Sequence, residues 1–497
     1  MACPLARLAL ILTLIIFLSL AVRITLALTH PGFIGVDGGA YLLQVERLLG
    51  QDAPQLDFVR PPLAPGWLLA PFVLLMGQDG GYSAFTAISS FAPLPGFLLL
   101  AKKVLTPRQR QVATAFFLFD MISAEMIVTG TLPMIGFGLI LLVIWAMIEL
   151  TEGKGWRHGL LLTVSLGLTP WVNQTSAGLA AITLPIILLA LGFAKGRMVL
   201  RAMPYIAAGA IIGACALPWY MGVAPGSAEV NFRGAWILPA GPFKAVVTMG
   251  LLFFASGVWI AWKATDYRIR TLAVALAVQG ALHPWLSYDE ALMNIFYRAG
   301  YLAIPFFWVC VVWVVGRLRI EWGQWFPRTA VAAIFTVLAV GFFYQWNNQA
   351  DYSDTVTPAT AKALEIVKES GDGTAVITNG RLLAIWVGAI NHQPAVWTST
   401  TRPPEAFENQ DAHARCVAGW VPGCDLQHSV QEIDAGYILV DYRWQQGKWA
   451  QQIYRAPAVD PWAELERNAP WLTLLYQGGT TKLWRVERGY AGFLRAS

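Results

Sequence analysis

The feature that most constrains the fold is a series of apolar segments, most of them long enough to cross a lipid bilayer. A membrane-spanning helix needs about 20 mainly apolar residues and satisfies its own backbone hydrogen bonds. Charged residues are only 13% of the chain, and a soluble protein would carry roughly twice that share. The sequence therefore predicts an α-helical polytopic membrane protein. About eleven spans are expected, at 8–29, 80–101, 111–128, 131–150, 158–174, 176–194, 199–221, 243–263, 269–286, 299–316 and 328–346.

Basic residues alternate between the two sides of this series. Cytoplasmic loops carry the excess of Lys and Arg in membrane proteins, so we predict that the N-terminus is inside. The cations then placed inside are Lys102, Lys103, Arg108, Arg110, Lys154, Arg157, Lys195, Arg197, Arg201, Lys263, Arg268, Arg270, Arg317, Arg319 and Arg328. The opposite loops carry few cations, which include Arg60, Arg233, Lys244 and Arg298. Residues 30–79, 222–242 and 287–298 and the C-terminal tail are therefore expected outside.

After about residue 346 the composition becomes that of a soluble domain. We predict a transmembrane domain at 1–346 and a small extracytoplasmic α/β domain at 347–497. Pro at the first helical position and short apolar runs between turns mark its elements. The predicted elements are helices starting at Pro358 and Pro461, strands at Ala375–Thr378 and Tyr437–Val440, and a hairpin of Trp471–Tyr476 with Lys482–Val486.

Two of the five cysteines lie in this outer domain. Cys416 and Cys424 are eight positions apart, and an oxidising compartment favours a disulfide between them. Two free thiols are the alternative interpretation.

The first outer loop, residues 31–79, contains the most distinctive local pattern. Asp37 precedes two glycines, which allow a sharp turn and a close approach of the backbone. From Ala40 onward the apolar positions follow helical spacing for about a dozen residues, too few to span a bilayer. A second short apolar segment follows at 63–77. We therefore predict an interfacial helix from Ala40 and an interfacial or re-entrant helix at 63–77, with a carboxylate held at the membrane surface.

Polar residues from distant loops are expected to meet on this outer side. Charges near membrane depth are costly and usually line a cavity or pathway. A carboxylate can take the proton of an acceptor hydroxyl, and fixed cations can stabilise a departing phosphate. These residue types suit sugar transfer from a lipid phosphate. The candidates are Asp37, Glu46, Arg60, Arg233, Lys244, His283, Tyr288, Asp289, Glu290 and Arg298, with the acids Asp120 and Glu125 inside the third span.

Each candidate also has a simpler structural explanation. Asp37 suits the N-cap of the following helix, and Arg60 can extend to lipid phosphates without specificity. Arg298 suits an anchor at the end of a span, and His283 before a proline suits a cap or a packed side chain. Asp289 and Glu290 suit a solvated loop pair. The sequence has no HExxH motif, paired CxxC motifs, P-loop or dinucleotide-binding glycine motif.

Several stretches together resemble a known family. They are Asp37-Gly38-Gly39-Ala40-Tyr41, Phe58-Val59-Arg60-Pro61-Pro62-Leu63, the run Tyr297–Pro305, and the closing hairpin with Trp471–Tyr476 and Lys482–Val486. Their order and topology resemble the GT-C glycosyltransferases. This integral-membrane family includes protein O-mannosyltransferases and aminoarabinose transferases.

The resemblance implies roles for these residues. Asp37 would be the catalytic base, Arg298 would hold the donor phosphate, and Arg60 would lie near the same site. The donor would be a polyprenyl-phosphate sugar, the acceptor a hydroxyl of a glycan, lipid or protein, and transfer would invert the anomeric centre. We expect no metal, no cofactor and no nucleic-acid partner, and a place in the bacterial inner membrane. Further substrate contacts are expected from Tyr41, Glu125, Arg233, Lys244, His283, Tyr288, Asp289 and Glu290.

The chain departs from the family pattern at two positions. The second acid of the first-loop pair is replaced by Gly38. The acid expected at the start of span four is replaced by Thr129-Gly130-Thr131, which leaves Glu125 or Asp120 as substitutes.

Two other function classes have to be weighed. A transporter or flippase of a lipid-linked sugar predicts inverted repeats and polar residues near the midplane, whereas the polar residues here gather toward one side. A membrane-anchored glycan-binding module predicts that the outer domain alone recognises a glycan.

Overall fold

The computed structural model describes residues 4–30, 33–34, 38–50, 63–120, 131–216, 240–283, 293–322, 325–370, 373–378, 381–391, 393, 395–397, 426–432, 434–441 and 469–487. Within these ranges the chain is mostly helical, and a small sheet lies near its C-terminus. The predicted fold class, a helical membrane protein with a C-terminal α/β unit, is confirmed.

Long helices follow the predicted apolar segments. They are α1 (Pro4–Thr29), α2 (Gly38–Leu48), α3 (Leu63–Ser89), α4 (Pro93–Val104), α5 (Pro107–Leu118), α6 (Thr131–Thr151), α7 (Trp156–Val172), α8 (Gln174–Lys195), α9 (Met203–Ala214), α10 (Ala240–Lys263), α11 (Tyr267–Leu282), α12 (Met293–Trp322) and α13 (Trp325–Ser353). The predicted domain boundary at 346/347 falls inside α13 and stays a prediction.

Local sequence signals explain several of these helix ends. Thr106 caps α5, where its hydroxyl accepts from the Gln109 amide and the Gln109 side chain accepts from the Thr106 amide. Asn173 caps α8 by accepting from the Ser176 amide at 2.9 Å. In α3, Gly77 adopts φ 76° and kinks the helix, so the apolar segment 63–77 forms a separate short helical arm.

Five stretches of the described residues are long and apolar enough to cross a membrane. Two of them, Ala64–Val104 and Thr175–Ala214, are 41 and 40 residues long and each contains more than one helix. The others are Ala9–Thr29, Leu132–Thr151 and Ala299–Arg317. The chain therefore has several membrane-spanning helices, and the total of about eleven stays a prediction.

A cluster of charges joins four helix ends of the bundle. Lys103 at the end of α4 lies 2.8 Å from both Glu149 and Glu152 at the end of α6. Glu152 also accepts from Arg268 Nε and from the Tyr267 hydroxyl, each at 2.6 Å, at the start of α11. The Lys195 ammonium, at the end of α8, lies 4.0 Å from the centre of the Tyr267 ring. Helix ends with the same predicted side therefore meet in space.

The elements of the C-terminal α/β unit are β2 (Asp354–Val356), α14 (Pro358–Ser370), β3 (Ala375–Thr378), α15 (Arg381–Asn391), β4 (Ala395–Trp397), α16 (Leu426–Glu432), β5 (Ala435–Asp441), β6 (Leu472–Gly478) and β7 (Thr481–Val486). Five of the strands form a mixed sheet in the order β4-β3-β5-β7-β6. Strand β3 is parallel to β4 and β5, while β7 is antiparallel to β5 and β6.

The predicted strands, the hairpin and the helix at Pro358 are confirmed within one or two residues. The helix predicted at Pro461 lies outside the described residues. The elements β2, α15, β4 and α16 were not predicted.

The C-terminal unit contacts the first loop in two places. Strand β1 (Phe33–Ile34) pairs antiparallel with β2, and Ile34 lies opposite Asp354. Helix α2 packs against α15, and both contribute to one buried apolar cluster that also includes Tyr82 of α3. Helix α2 is therefore enclosed between the helical bundle and the C-terminal unit.

Candidate active site

Helix α2 begins at the residue that follows Asp37, and all its residues from Gly38 to Glu46 are buried. The polar side chains of Gln44 and Glu46 are therefore covered by protein, whereas Arg47 is exposed. Gln44 Oε1 accepts from the Gly66 amide at 3.1 Å, and Glu46 Oε1 accepts from Gln78 Nε2 at 2.6 Å. Partners on α3 compensate the burial of these polar groups. The helix is fixed in place by hydrogen bonds and does not simply rest on the bilayer.

Gly38 lies in a slot that leaves no room for a side chain. A Cβ atom at this position would lie 2.8 Å from Cζ2 of Trp386 and closer still to the Tyr82 ring. The two rings meet edge to face, with centroids 5.9 Å apart, and both are buried. Where the resembling family carries a second acid, this chain has a packed backbone.

Glu46 is the titratable group of α2 with the most perturbed surroundings. Burial raises the pKa of its carboxyl to about 7, although the hydrogen bond from Gln78 and the charge of Lys368 on α14 act in the opposite direction. A carboxyl that titrates near neutral pH is typical of functional sites. Sequence analysis named Glu46 without giving it a role, because its partners come from distant segments.

His283 and the segment with Arg298 are brought together. His283 follows the last residue of α11 and is 5% exposed, and a Cβ added to Gly300 in α12 would lie 2.8 Å from its Nδ1. Arg298 precedes Gly300 by two residues on the same helix. Only the backbone of Arg298 is described, so its phosphate-binding role stays a prediction.

Asp120 lies two residues beyond the end of helix α5 at Leu118 and is buried. Its predicted place inside the third span stays a prediction. Its Oδ2 accepts from Trp308 Nε1 of α12 at 3.1 Å. The preceding carbonyl of Leu118 accepts from Arg23 at 2.6 Å. Both contacts fix the direction in which the chain leaves α5.

The roles of the remaining predicted site residues stay predictions. Tyr41 lies in α2 and packs in the cluster shared with the C-terminal unit, and Lys244 lies in α10, where only the backbone is described. No cluster of three or more potential metal ligands occurs among the described residues. The residues outside the described ranges are Asp37, Arg60, Glu125, Arg233, Tyr288, Asp289, Glu290, Cys416 and Cys424.

Sequence reasoning did not identify Trp386, Tyr82 or Gln78. Each contacts α2 from a segment far away in the chain, and none stands in a recognisable motif. The only related signal was Gly38-Gly39, which predicted a close backbone approach without its partners.

No protein-family model matches the chain, and no curated protein matches it in sequence. Three solved structures are similar over most of its length. ArnT from Cupriavidus metallidurans, bound to undecaprenyl phosphate, has 13% identity and a TM-score of 0.58, with 95% of this chain and 97% of that chain covered. The archaeal oligosaccharyltransferase AglB from Archaeoglobus fulgidus, in complex with an inhibitory peptide and a dolichol-phosphate, has 11% identity, coverage of 92% and 72%, and a TM-score of 0.54.

The third similar structure is the arabinofuranosyltransferase AftD from Mycobacteria. It has 14% identity and a TM-score of 0.56, with 98% of this chain but 40% of that chain covered. All three proteins are membrane glycosyltransferases of the GT-C superfamily. The similarity extends over the helical bundle and the C-terminal unit together, and it shows that this chain has the GT-C fold.

Proposed function

We propose that the protein is a membrane glycosyltransferase that moves a sugar from a polyprenyl-phosphate donor to an acceptor hydroxyl on the extracytoplasmic face. The observation that carries the proposal is the GT-C fold, shared over 95% of the chain with a structure that binds undecaprenyl phosphate. The buried helix α2 also supports the proposal, because it starts directly after Asp37.

In the proposed reaction Asp37 is the general base. Its carboxylate takes the proton of the acceptor hydroxyl, and the acceptor oxygen forms a bond to the first carbon of the sugar. The bond from that carbon to the phosphate oxygen breaks on the opposite face, and its electron pair leaves with the polyprenyl phosphate. The anomeric centre is therefore inverted.

Arg298 and Arg60 are proposed to hold the donor phosphate. Guanidinium groups bind phosphate oxygens with paired, charge-assisted hydrogen bonds. The negative charge on the leaving oxygen grows as the bond breaks, so fixed cations lower the barrier. The packing of His283 against Gly300 supports this assignment, because it brings a second predicted site residue next to the segment of Arg298.

The acceptor and sugar contacts are proposed to come from Tyr41, Lys244 and His283 and from loop residues beyond the described ranges. Asp120 is the better supported substitute for the missing acid, since Trp308 and the helix end hold it in place.

We propose a multi-pass bacterial inner-membrane protein with its N-terminus inside and its C-terminal domain outside. No metal or cofactor is required by this chemistry, and the Cys416–Cys424 disulfide stays part of the proposal.

The variant Asp37→Asn tests the proposed function, because it keeps the shape of the side chain and removes the base. Purified protein in liposomes is supplied with radiolabelled polyprenyl-phosphate sugars and an envelope extract as acceptor. We expect transfer to fall by about 10²–10⁴-fold. Transfer at a near wild-type rate would show that Asp37 is not the base. Lipid scrambling by wild-type protein without transfer would identify a flippase instead.

A further inference from the structure

Both sides of the proposed base are attached to the C-terminal unit. Ile34 lies in β1, which pairs with β2, and Gly38 lies against Trp386 of α15. Only three residues, 35–37, separate these two attachments in the chain. The described residues on either side of residue 37 are therefore held by elements that come more than 300 residues later.

The slot around Gly38 has one wall in each part of the molecule. Tyr82 belongs to α3 of the helical bundle, and Trp386 belongs to α15 of the C-terminal unit. Both rings are buried, at 2% and 0% exposure. Aromatic rings in a close-packed core have little freedom to move aside. The slot is complete only when the two parts are assembled on each other.

We propose that Trp386 is a positioning residue for Asp37, and that the C-terminal unit is thereby a required part of the active site. This inference rests on the proposed function. Trp386 is proposed to act on Asp37 through its contact with Gly38. A displacement of a catalytic group by about 1 Å can reduce the rate about 100-fold, so the seating of one glycine matters for the chemistry. The same packing explains why this position has no acidic side chain.

The first test compares two tryptophan variants of the full chain. Trp386→Phe removes the outer ring that contacts Gly38. Trp484→Phe is the matched control, because Trp484 is also buried in the C-terminal unit, at 2% exposure, but belongs to a cluster that excludes α2. We expect Trp386→Phe to lower kcat by at least about tenfold with KM for the donor within about twofold. We expect the control to change kcat by less than about twofold at an equal loss of thermal stability.

The second test uses the slot itself. Gly38→Ala places a methyl group against both rings, and we expect a loss of kcat similar to that of Trp386→Phe. Tyr82→Leu removes one wall, so the double variant is expected to recover at least about fivefold of the lost kcat. A merely structural role predicts additive losses. Wild-type activity of Gly38→Ala would overturn the proposal.

A readout without catalysis separates this inference from the proposed function. Asp37→Cys is reacted with a membrane-impermeant maleimide, and its labelling is measured above that of the chain without this substitution. We expect Trp386→Phe to change the labelling rate at least about fivefold and Trp484→Phe to change it less than about twofold. Equal rates in both variants overturn the positioning role. Activity that persists in Asp37→Asn, with Trp386-dependent labelling, instead contradicts the proposed function alone.

Discussion

Glu46 and Glu152 contact opposite ends of the helical run that extends from the Gly77 kink in α3 to the end of α4, and their surroundings differ. Glu152 accepts from Lys103, Arg268 and Tyr267. Burial alone raises the pKa of Glu152, but these three hydrogen bonds outweigh it and lower the pKa to about 2. Glu46 accepts from the neutral amide of Gln78, and burial raises its pKa to about 7. At one end of the bundle, cations compensate the charge of Glu152. At the other end, Glu46 is an acid with a pKa near neutral pH.

The difference between the two ends indicates different tasks. Compensated charges join α4, α6 and α11, and they keep the pKa of Glu152 well below neutral pH. A buried acid with a neutral partner costs stability, and such groups gather at functional sites. Glu46 stands nine residues after Asp37 in the same loop, so the destabilised acid belongs to the proposed active-site end.

Removing the central cation should produce the largest loss of stability. Lys103→Met leaves Glu149 and Glu152 with Arg268 as their remaining charged partner in the cluster. Because removing one partner of a partly buried ion pair leaves an uncompensated charge, we expect a loss of about 2–3 kcal/mol. Equilibrium unfolding in mixed detergent micelles measures this change.

The matched control for Lys103→Met is Lys102→Met. Lys102 is the preceding residue on α4 and is exposed. We expect its replacement to change the free energy of unfolding by less than about 0.5 kcal/mol. Equal losses in the two variants would mean that the charge cluster does not stabilise this end of the bundle.

Glu46→Gln should increase the stability of the protein, and only at higher pH. Between pH 4.5, the ordinary carboxyl pKa, and about 7, the unfolded chain releases a proton that the folded protein retains. Stability therefore falls as pH rises through this range and stays reduced above it. Gln removes the titration and keeps the amide contact, so we expect a gain of about 1–2 kcal/mol at pH 8 and almost none at pH 4.5.

Titration of Glu46 has to be distinguished from that of its neighbours. Gln78 donates to Glu46 from α3, Asp79 follows Gln78 in the chain, and the charge of Lys368 on α14 acts on both acids. Glu365→Gln is the control, because Glu365 lies on α14 near Lys368 in sequence but is exposed and pairs with Lys362. A pH-dependent gain in the control of the same size would assign the effect to α14.

Much of this fold was predictable from the sequence, because membrane helices and buried strands carry strong local patterns. The strand Ala375–Thr378 and the start of α14 after Thr357 agree with the predictions. Helix α15 was missed because RLLAIWVGAIN is apolar along nearly its whole length, and a short apolar run does not distinguish helix from strand.

The surroundings of the candidate site were less predictable, since they depend on contacts between distant segments. The residue types expected at the site were read from the first loop and from the Arg298 segment. Trp386 reaches Gly38 across almost 350 residues of sequence, and Gln78 reaches Glu46 across a loop. No local pattern encodes such pairs. For the same reason, the burial of Gln44 and Glu46 was not expected from the helical periodicity of α2.

Tyr267→Phe should cause the smallest loss of stability. It tests whether the Tyr267 hydroxyl contributes to the hydrogen bonding of Glu152. The variant removes one hydroxyl donor and keeps the ring on which Lys195 rests. Because Lys103 and Arg268 remain, we expect a loss of about 0.5–1.5 kcal/mol at pH 7. The same hydrogen bond helps to lower the pKa of Glu152, so acid unfolding should begin at a higher pH in the variant. If acid unfolding were unchanged, charge alone would account for the low pKa, and the contrast with Glu46 would reduce to the presence of a close cation.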